Sequence, residues 1–299
     1  RAFLYRHFYF YMMKAYLSLI KFAHTVFALP FAFLSFFLGI ESAGSDINWE
    51  LFVQILLCMV FARSAAMAFN RYVDRNIDAL NQRTRIREIP SGVISPQSAI
   101  ALVVLMSLAF VLTTYWINTL CFYLSPVALL VILGYSYTKR FTWLCHFVLG
   151  LGLGLAPVGA FIAVTGKFEL LPVLYGVMVL LWVSGFDILY ALQDESFDRS
   201  NGLQSVPQRF GQEKAKRIAI FVHTLCALLL IYITWYQSHL FPALGFLHWI
   251  GAAGFIGLLF WQHRLVFLYN LEKINQAFFE TNGIASLCFG SAVMIDVLF

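Results

Sequence analysis

The feature that most constrains the fold of this chain is a series of long apolar segments separated by short polar stretches. An α-helix needs about 20 apolar residues to cross the hydrocarbon core of a bilayer. Only 12% of the residues are charged, about half the share that is usual in a soluble domain. The sequence therefore predicts one all-α integral membrane domain over residues 1–299, with about nine transmembrane helices at residues 20–40, 51–70, 98–117, 119–138, 143–165, 170–191, 215–236, 240–261 and 278–298.

The basic residues of the loops lie almost entirely on one side of this predicted bundle. The loops after even-numbered segments are rich in Lys and Arg, whereas the loops after odd-numbered segments contain only Lys167. Because Lys and Arg are retained on the cytoplasmic side, the N-terminus and the even-numbered loops are predicted to be cytoplasmic and the C-terminus external. We expect a multi-pass protein of the bacterial inner membrane, with the lipid bilayer and no nucleic acid as a partner.

The five cysteines are scattered through apolar segments, without a Cys-x-x-Cys pair or a Cys/His ligand spacing. We interpret them as small buried hydrophobic residues rather than as disulfides or zinc ligands. The 31 phenylalanines are more than contact with lipid requires. Some of them are expected to line an internal apolar cavity.

A row of polar side chains follows the second apolar segment. Asn70, Asp74 and Asp78 recur every four residues, so on a helix they lie on one face, one turn above another. Their oxygen atoms suit a hard divalent cation such as Mg²⁺. Without a cation the two carboxylates would repel each other, so the row favours a metal site over a purely structural helix.

A second acidic stretch follows the sixth apolar segment and repeats this chemistry. Asp194 and Asp198 are again four residues apart, and Asp187 lies seven residues before Asp194 on roughly the same helical face. Two facing acidic clusters with arginines nearby describe a site for Mg²⁺ and a diphosphate. Both clusters are predicted at the cytoplasmic ends of their helices.

Each acidic stretch leads into a loop that contains both Pro and Gly, at residues 83–92 and 202–211. Such loops break helices, and these two are predicted to cap the opening of a cavity. The two stretches are four helices apart and have the same orientation in the membrane. The sequence therefore predicts two pseudo-repeated halves, helices 1–4 and 5–8 with a ninth added, around a central cavity that opens to the cytoplasm.

Three stretches together resemble the signatures of the UbiA superfamily of intramembrane aromatic prenyltransferases. The first is Asn70-x3-Asp74-x3-Asp78-x4-Arg83-Thr84 with Pro90-Ser91-Gly92. The second is Tyr190-x2-Gln193-Asp194-x3-Asp198-x3-Gly202-x2-Ser205, and the shorter third is Tyr135-x-Tyr137-x-Lys139-Arg140-x-Thr142. The match spans nearly the whole chain, in the family's order and with its number of helices.

This resemblance implies a Mg²⁺-dependent enzyme that ionises an isoprenyl diphosphate, after which an aromatic ring attacks the allylic carbon. By motif position, Asn70, Asp74 and Asp78 would hold one Mg²⁺, and Asp194 and Asp198 another. The metal ions and nearby basic groups would neutralise the charge that builds on the departing diphosphate.

Four basic residues are candidates for direct contacts with the diphosphate. Lys139 and Arg140 match the family's diphosphate-binding element, and Arg71 and Arg75 lie among the first cluster of acids. The alternative for Arg71 and Arg75 is that they are ordinary basic residues of a cytoplasmic loop.

Tyrosine faces could shield the allylic cation by cation–π attraction, and Tyr135, Tyr137 and Tyr190 lie near the ends of their helices. The alternative for each is a position in the aromatic belt at the membrane interface. Of the three, Tyr190 is also a candidate for contact with the aromatic acceptor.

An aromatic acid needs a cation of its own, and Arg63 and Lys21 are the candidates. Arg63 lies within a predicted span, where it either binds the acceptor carboxylate or pairs with an acid such as Asp74. Lys21 lies where family members carry an Arg-x-x-Lys-Pro element, but this chain has Lys21 and His24 there and no Pro. Asp187 could orient the acceptor, receive its proton, or support the metal ligands.

We predict transfer of a polyprenyl group to 4-hydroxybenzoate in ubiquinone-type quinone synthesis. The departure at residues 21–24 keeps a second acceptor open, a naphthoate on a menaquinone route, while a haem-farnesylating relative matches less well. A membrane transporter is the alternative of another class. Transporters place ionisable groups near the bilayer midplane, whereas these acids lie at helix ends beside basic loops.

Overall fold

A computed structural model describes residues 13–20, 28–269 and 274–299, without the side chains of residues 269 and 275–279. All regular elements in these ranges are helices. After a short helix at residues 13–19, the chain forms α1 (Leu29–Ala43), α2 (Trp49–Leu80), α3 (Pro96–Ile117), α4 (Thr119–Thr138), α5 (Cys145–Thr165), α6 (Leu170–Tyr190), a 3₁₀ helix (Ala191–Asp194), α7 (Glu195–Ser200), α8 (Val206–Phe210), α9 (Gln212–Leu240), α10 (Leu247–Tyr269) and α11 (Ile274–Leu298).

Eight helices of the described ranges, α2–α6 and α9–α11, are long and apolar enough to span a membrane. Helix α1 has 15 residues, and residues 21–27 of the first predicted segment lie outside the described ranges. The prediction of an all-α integral membrane bundle is confirmed. The number of nine spans stays a prediction.

A polar capping residue, Asn118, separates α3 from α4, whose boundary is poorly defined by hydropathy alone. Asn118 ends α3, and its side-chain oxygen accepts a hydrogen bond of 2.8 Å from the backbone N–H of Cys121, which caps the start of α4. The amide nitrogen of Asn118 also donates to the backbone oxygens of Ile162 and Ala163 in α5, at 3.0 and 3.3 Å. One side chain therefore joins three helices at a sharp turn.

Two helix boundaries differ clearly from the sequence prediction. Helix α2 continues ten residues past the predicted end at residue 70, so the first row of acids stands on an unbroken helix beyond the apolar part. The predicted spans 215–236 and 240–261 are α9 and α10, which run to Leu240 and from Leu247. Pro242 and Gly245 interrupt the helix there, while the apolar composition continues through the break and hides it.

The two predicted halves are related but not equivalent in their packing. Helix α2 packs along α3 as α6 packs along α9, and in each pair the first helix leads into an acidic motif. However, α5 packs closely on α6, whereas α1 packs mainly on α5 and barely touches α2. A dense aromatic core lies among α1, α6, α10 and α11, in which Trp182 contacts Phe31 and Phe255 at ring-centroid distances of 5.3 and 5.4 Å.

A cavity of about 280 Å³ lies next to this core. The cavity is lined by one face each of α2, α3, α4 and α5, and by Val183 and Phe186 of α6. The predicted cavity is therefore bounded mainly by α2–α5, rather than equally by the two halves. Its walls are almost wholly apolar, with Arg63 as a charged exception.

Candidate active site

The cavity wall formed by α2 continues directly into the first row of acids. Arg63 and Met67 line the cavity, and Asn70, Asp74 and Asp78 follow at steps of three and four residues on the same helix. Residues at this spacing share one face of an α-helix. Asn70, Asp74 and Asp78 therefore lie at one end of the cavity. We call this end of the cavity the acidic end.

Both carboxylates of the first row are neutralised by arginines. Arg140 Nη2 donates to Asp74 Oδ1 at 2.9 Å, and Asn70 Nδ2 donates to the other oxygen of Asp74 at 3.0 Å. Arg87 Nη1 lies 2.7 and 2.8 Å from the two oxygens of Asp78. Asp78 is buried, so its charge needs this partner.

The second acidic motif has equivalent partners. Arg83 contacts Asp194 through Nη2 and, at 3.3 Å, through Nε. Lys139 Nζ lies 2.9 Å from Asp198 Oδ1, and the hydroxyl of Ser205 donates to the other oxygen at 3.0 Å. The Asp198 side chain is only 1% exposed, so this carboxylate is almost fully enclosed by its partners.

These ion pairs bring three distant parts of the sequence to one place. The loop after α2 supplies Arg83 to the second motif, and the turn after α4 supplies Arg140 to the first and Lys139 to the second. Asn81 Nδ2 also lies 3.4 Å from Asp194 Oδ1. The predicted convergence of the two acidic motifs and the Lys-Arg element is therefore present in the structure.

The acids stabilise the charged form of two basic residues that lie outside the membrane-spanning helices, Lys139 and Arg83. Burial by itself disfavours the charged form of Lys139, but the Asp198 carboxylate outweighs it and raises the pKa of Lys139. Burial likewise opposes the charge of Arg83, and Asp194 again raises its pKa. Both side chains are therefore cations at physiological pH.

The other two predicted diphosphate ligands are placed differently. The guanidinium of Arg75 turns back on its own helix, where Nη1 donates to the Tyr72 backbone oxygen at 2.7 Å and the group lies 4.5 Å from the Tyr72 ring centroid. Arg71 is 5% exposed, and its Nε has no hydrogen-bond partner among the described residues. Arg71 is thus enclosed by the protein, while the Arg75 guanidinium lies against its own helix.

The donor chemistry of the two clusters fits Mg²⁺. Asn70, Asp74, Asp78, Asp194 and Asp198 offer amide and carboxylate oxygens, the ligands that this ion prefers. Within the described ranges, no three His, Cys, Asp or Glu side chains lie close enough together to hold a metal ion. Each acid contacts a basic side chain instead.

Asp187 stands one helical turn beyond Val183 on α6 and is held by a histidine. His146 Nδ1 lies 2.7 Å from Asp187 Oδ2, and His146 Nε2 lies 3.2 Å from the backbone nitrogen of Val206. The Asp187 side chain is 25% exposed, whereas that of His146 is 3% exposed. Asp187 is thus accessible on one side and tied to the protein on the other.

The residues predicted to contact the acceptor or to shield the allylic cation are spread along the site. Arg63 and Tyr135 line the cavity, and no described residue is a hydrogen-bond partner for Arg63 Nε. Tyr190 lies at the acidic end, where its hydroxyl is 3.4 Å from Arg83 Nη1. Tyr137 packs against Phe69 with a ring-centroid distance of 5.9 Å. Lys21 lies outside the described residues.

Sequence reasoning did not assign roles to several residues of this site. Arg83 belongs to the first motif and Arg87 follows it, but only the fold shows which acids they neutralise. Ser205 matches a position of the second motif, but the sequence does not indicate which side chain its hydroxyl contacts. His146 carries no signal in the sequence, because a single histidine at the start of an apolar helix has no motif around it.

Comparison with known proteins agrees with this arrangement. The profile of the UbiA prenyltransferase family matches residues 11–284. The 4-hydroxybenzoate octaprenyltransferase of Photobacterium profundum is 30% identical over 287 residues, covering 94% of this chain and 96% of the relative. The enzyme of the same name from Sodalis glossinidius is 32% identical over 237 residues, covering 78% and 79%.

Two solved structures share the fold. A UbiA homolog from Aeropyrum pernix K1 superposes with a TM-score of 0.81 at 29% identity, covering 91% of this chain and 98% of that one. A UbiA homolog from Archaeoglobus fulgidus, bound to GPP and Mg²⁺, gives a TM-score of 0.73 at 20% identity, covering 95% and 100%. The second comparison concerns the fold alone.

A helical membrane bundle with converging acidic motifs at the end of an apolar cavity defines the class of intramembrane prenyltransferases. The chain belongs to the UbiA prenyltransferase family. It is therefore an enzyme, and the alternative of a membrane transporter is wrong.

Proposed function

We propose that this enzyme transfers a polyprenyl group from an isoprenyl diphosphate to 4-hydroxybenzoate, in a Mg²⁺-dependent step of ubiquinone-type biosynthesis. The observation that carries this proposal is the convergence of both acidic motifs and the Lys-Arg element at one end of an apolar cavity. The two bacterial relatives bear the name 4-hydroxybenzoate octaprenyltransferase.

The acidic end is suited to hold the diphosphate. Asn70, Asp74 and Asp78, with Asp194 and Asp198, would hold Mg²⁺, which when bound supplies positive charge against the departing diphosphate. The donors that would bind the diphosphate oxygens are the basic groups that contact these acids, namely Lys139, Arg140, Arg83 and Arg87. Charge-assisted hydrogen bonds of this kind are among the stronger ones available to a protein.

The apolar cavity is suited to the prenyl chain and to the cation formed from it. When the allylic C–O bond breaks, both electrons leave with the diphosphate oxygen and a positive charge remains on the prenyl group. The faces of Tyr135 and Phe186 line the cavity and would attract that charge without reacting with it. Apolar walls also keep water, a competing nucleophile, away from the cation.

Arg63 and Asp187 are suited to place the acceptor between these two regions. The Arg63 guanidinium would bind the carboxylate of 4-hydroxybenzoate, because a charge in an apolar cavity requires a partner. The position para to the hydroxyl carries that carboxylate, so the new C–C bond would form at an ortho carbon. The proton from that carbon would then leave, and Asp187 is the carboxylate we assign to orient the hydroxyl and accept the proton.

The membrane orientation belongs to the same proposal. The basic loops of the sequence favour a cytoplasmic position for the acidic end, where soluble aromatic acids are available. For a protein with bacterial relatives of this kind, the membrane would be the inner membrane.

The test is a transfer assay with purified protein in detergent micelles. A radiolabelled polyprenyl diphosphate is combined with 4-hydroxybenzoate or a dihydroxynaphthoate, with Mg²⁺ or with EDTA. We expect labelled product from 4-hydroxybenzoate with Mg²⁺, and reversible loss of product with EDTA. If product forms with the naphthoate but not with 4-hydroxybenzoate, the acceptor is a naphthoate and the proposed acceptor is wrong. Full activity in EDTA would overturn the role of the metal.

Two variants locate the reaction at the two acidic clusters. Asp74→Asn and Asp194→Asn each remove one carboxylate charge while keeping the size of the side chain, so each should abolish transfer without preventing membrane insertion. Asp46→Asn is the matched control, because Asp46 is exposed in the loop before α2, at the opposite end of that helix. Normal turnover of either cluster variant at saturating Mg²⁺ would contradict the two-cluster mechanism.

A further inference from the structure

His146 joins two parts of the site through the two nitrogens of its ring. Nε2 lies 3.2 Å from the backbone nitrogen of Val206, and Nδ1 lies 2.7 Å from Asp187 Oδ2. A backbone N–H can only donate, so Nε2 must be the nitrogen without a proton. The proton of the neutral ring is therefore on Nδ1, from which it is donated to Asp187.

Val206 follows directly on the part of the second motif that contacts the acidic end. The neighbouring Ser205 donates to Asp198 at 3.0 Å, and the backbone nitrogen of Gln204 donates to the backbone oxygen of Lys139 at 2.7 Å. The loop before α8 is therefore fixed on Asp198 and Lys139. Through Val206, the position of the His146 ring depends on this loop.

We infer that His146 is a positioning residue, which orients Asp187 towards the aromatic acceptor and ties that orientation to the loop at the diphosphate end. This inference rests on the role proposed above for Asp187. One carboxylate oxygen of Asp187 is held by Nδ1–H, while Oδ1 has no hydrogen-bond partner among the described residues. That oxygen is the one left to contact the acceptor.

His146 does not transfer the proton onward in this arrangement. The backbone N–H of Val206 occupies the only lone pair of the ring, so a proton taken at Nδ1 would have no exit through Nε2. The ring is also 3% exposed, which leaves little room for a water molecule. His146 therefore orients Asp187 and does not relay protons.

Two substitutions separate the two contacts of the ring. In His146→Asn, the side-chain amide can occupy the place of Nδ1 and donate to Asp187, but nothing replaces Nε2. In His146→Gln, the amide oxygen can occupy the place of Nε2 and accept from Val206, but the donor to Asp187 is lost. Initial rates with varied donor and acceptor concentrations are measured for both variants, using whichever aromatic acceptor the wild type prenylates.

The expected result is a separation between the two Michaelis constants. His146→Gln should raise the acceptor KM about 10-fold or more, the effect of one charge-assisted hydrogen bond, with the donor KM within about twofold. His146→Asn should leave the acceptor KM within about threefold and raise the donor KM instead. Combining His146→Gln with Asp187→Asn should be no worse than Asp187→Asn alone, because both act on one interaction.

A purely structural role would give another pattern. Equal losses in both variants, with a lower unfolding temperature and no difference between donor and acceptor, would overturn the inference. His239→Gln is the control, because His239 is exposed at the end of α9. Since the assay uses the acceptor of the wild type, failure of the 4-hydroxybenzoate assignment would leave this comparison intact. Unchanged acceptor KM in Asp187→Asn would overturn the role of Asp187 itself.

Discussion

Four carboxylates at the acidic end are each neutralised by a basic side chain. Asp198 is the most enclosed of them, and Lys139 is its cation at 2.9 Å. A buried charge that loses its partner is strongly destabilising. At the residue scale, the site is therefore a set of paired charges. In the proposed mechanism, Mg²⁺ would bind the acids and the diphosphate would bind the basic groups, so that no charge would be left without a partner.

Lys139 is expected to contribute to donor binding through its charge. Lys139→Met should raise the KM for the prenyl diphosphate about 10- to 150-fold, the effect of losing a charge-assisted hydrogen bond of roughly 1.5–3 kcal/mol. Lys139→Arg keeps the charge and should restore most of the affinity. Lys167→Met is the control, because Lys167 is exposed at the other end of α5.

The pH dependence of donor binding tests the same residue. The Asp198 carboxylate raises the pKa of Lys139 above its ordinary value of 10.5, so the ammonium stays charged as the pH rises to about 9. In the wild type, the KM for the prenyl diphosphate should therefore not rise through loss of the Lys139 charge up to that pH. A rise of the donor KM that begins near pH 8 in the wild type, and is absent from Lys139→Arg, would contradict this assignment.

Arg63 is expected to act on the acceptor rather than the donor. It is a charged residue on the apolar cavity wall, and its Nε has no hydrogen-bond partner in the described part of the chain. Arg63→Met should raise the acceptor KM about 10- to 150-fold and change the donor KM little.

A neutral acceptor provides the matched comparison for Arg63. The wild type should prefer 4-hydroxybenzoate strongly over 4-hydroxybenzamide, which lacks the negative charge, and Arg63→Met should lose most of that preference. If the variant loses only donor affinity, Arg63 serves the diphosphate. If it keeps the full preference for the acid, another cation binds the carboxylate.

At the element scale, the close approach of α5 and α6 holds together the helices that carry His146 and Asp187. A Cβ atom added at Gly176 of α6 would lie 2.7 Å from the backbone oxygen of Gly154 in α5, closer than such atoms are found. Glycines at this contact let the two helix backbones touch, as small residues do in membrane bundles. Because α5 carries His146 and α6 carries Asp187, this contact sets the distance between the two side chains.

Widening this contact is expected to destabilise the bundle. Gly176→Ala should cost roughly 1–3 kcal/mol by overpacking, and should lower the unfolding temperature in detergent. Gly134→Ala in α4 is the matched control, because an added Cβ there meets nothing within 4 Å, and Ala favours helix over Gly. Equal unfolding temperatures for the two variants would show that α5 and α6 separate without cost.

At the scale of the whole molecule, one region is filled and another is hollow. The aromatic core lies among α1, α6, α10 and α11, while α2–α5 enclose the cavity. The four ion pairs of the two acidic motifs lie together at one end of the bundle.

The orientation of that end in the membrane can be tested by labelling single cysteines. Gln97 is exposed at the start of α3, near the acidic end, and Ser45 is exposed in the loop before α2 at the opposite end. We expect Gln97→Cys to react with an impermeant maleimide only from the cytoplasm, and Ser45→Cys only from outside. Cys288 is exposed and is replaced by Ser beforehand, and the reverse labelling pattern would invert the topology.

Much of this protein is determined by local features of the sequence. Segment length and apolar composition are properties of consecutive residues, so they predicted the helical membrane bundle. The four-residue spacing of Asn70, Asp74 and Asp78 predicted a shared helix face for the same reason. The resemblance of three motifs to one family predicted which residues would meet, and the structure brings the two acidic motifs and Lys139 and Arg140 together.

Only the tertiary structure decided the contacts between residues that are distant in the sequence. It turned Arg75 back onto Tyr72 and placed Arg83 on Asp194. It also set His146 beside Asp187, 41 residues apart. The physical reason is that apolar membrane helices resemble one another in composition, so hydropathy does not select their neighbours. Packing of small residues and pairing of buried charges select them, and both depend on the whole bundle being assembled.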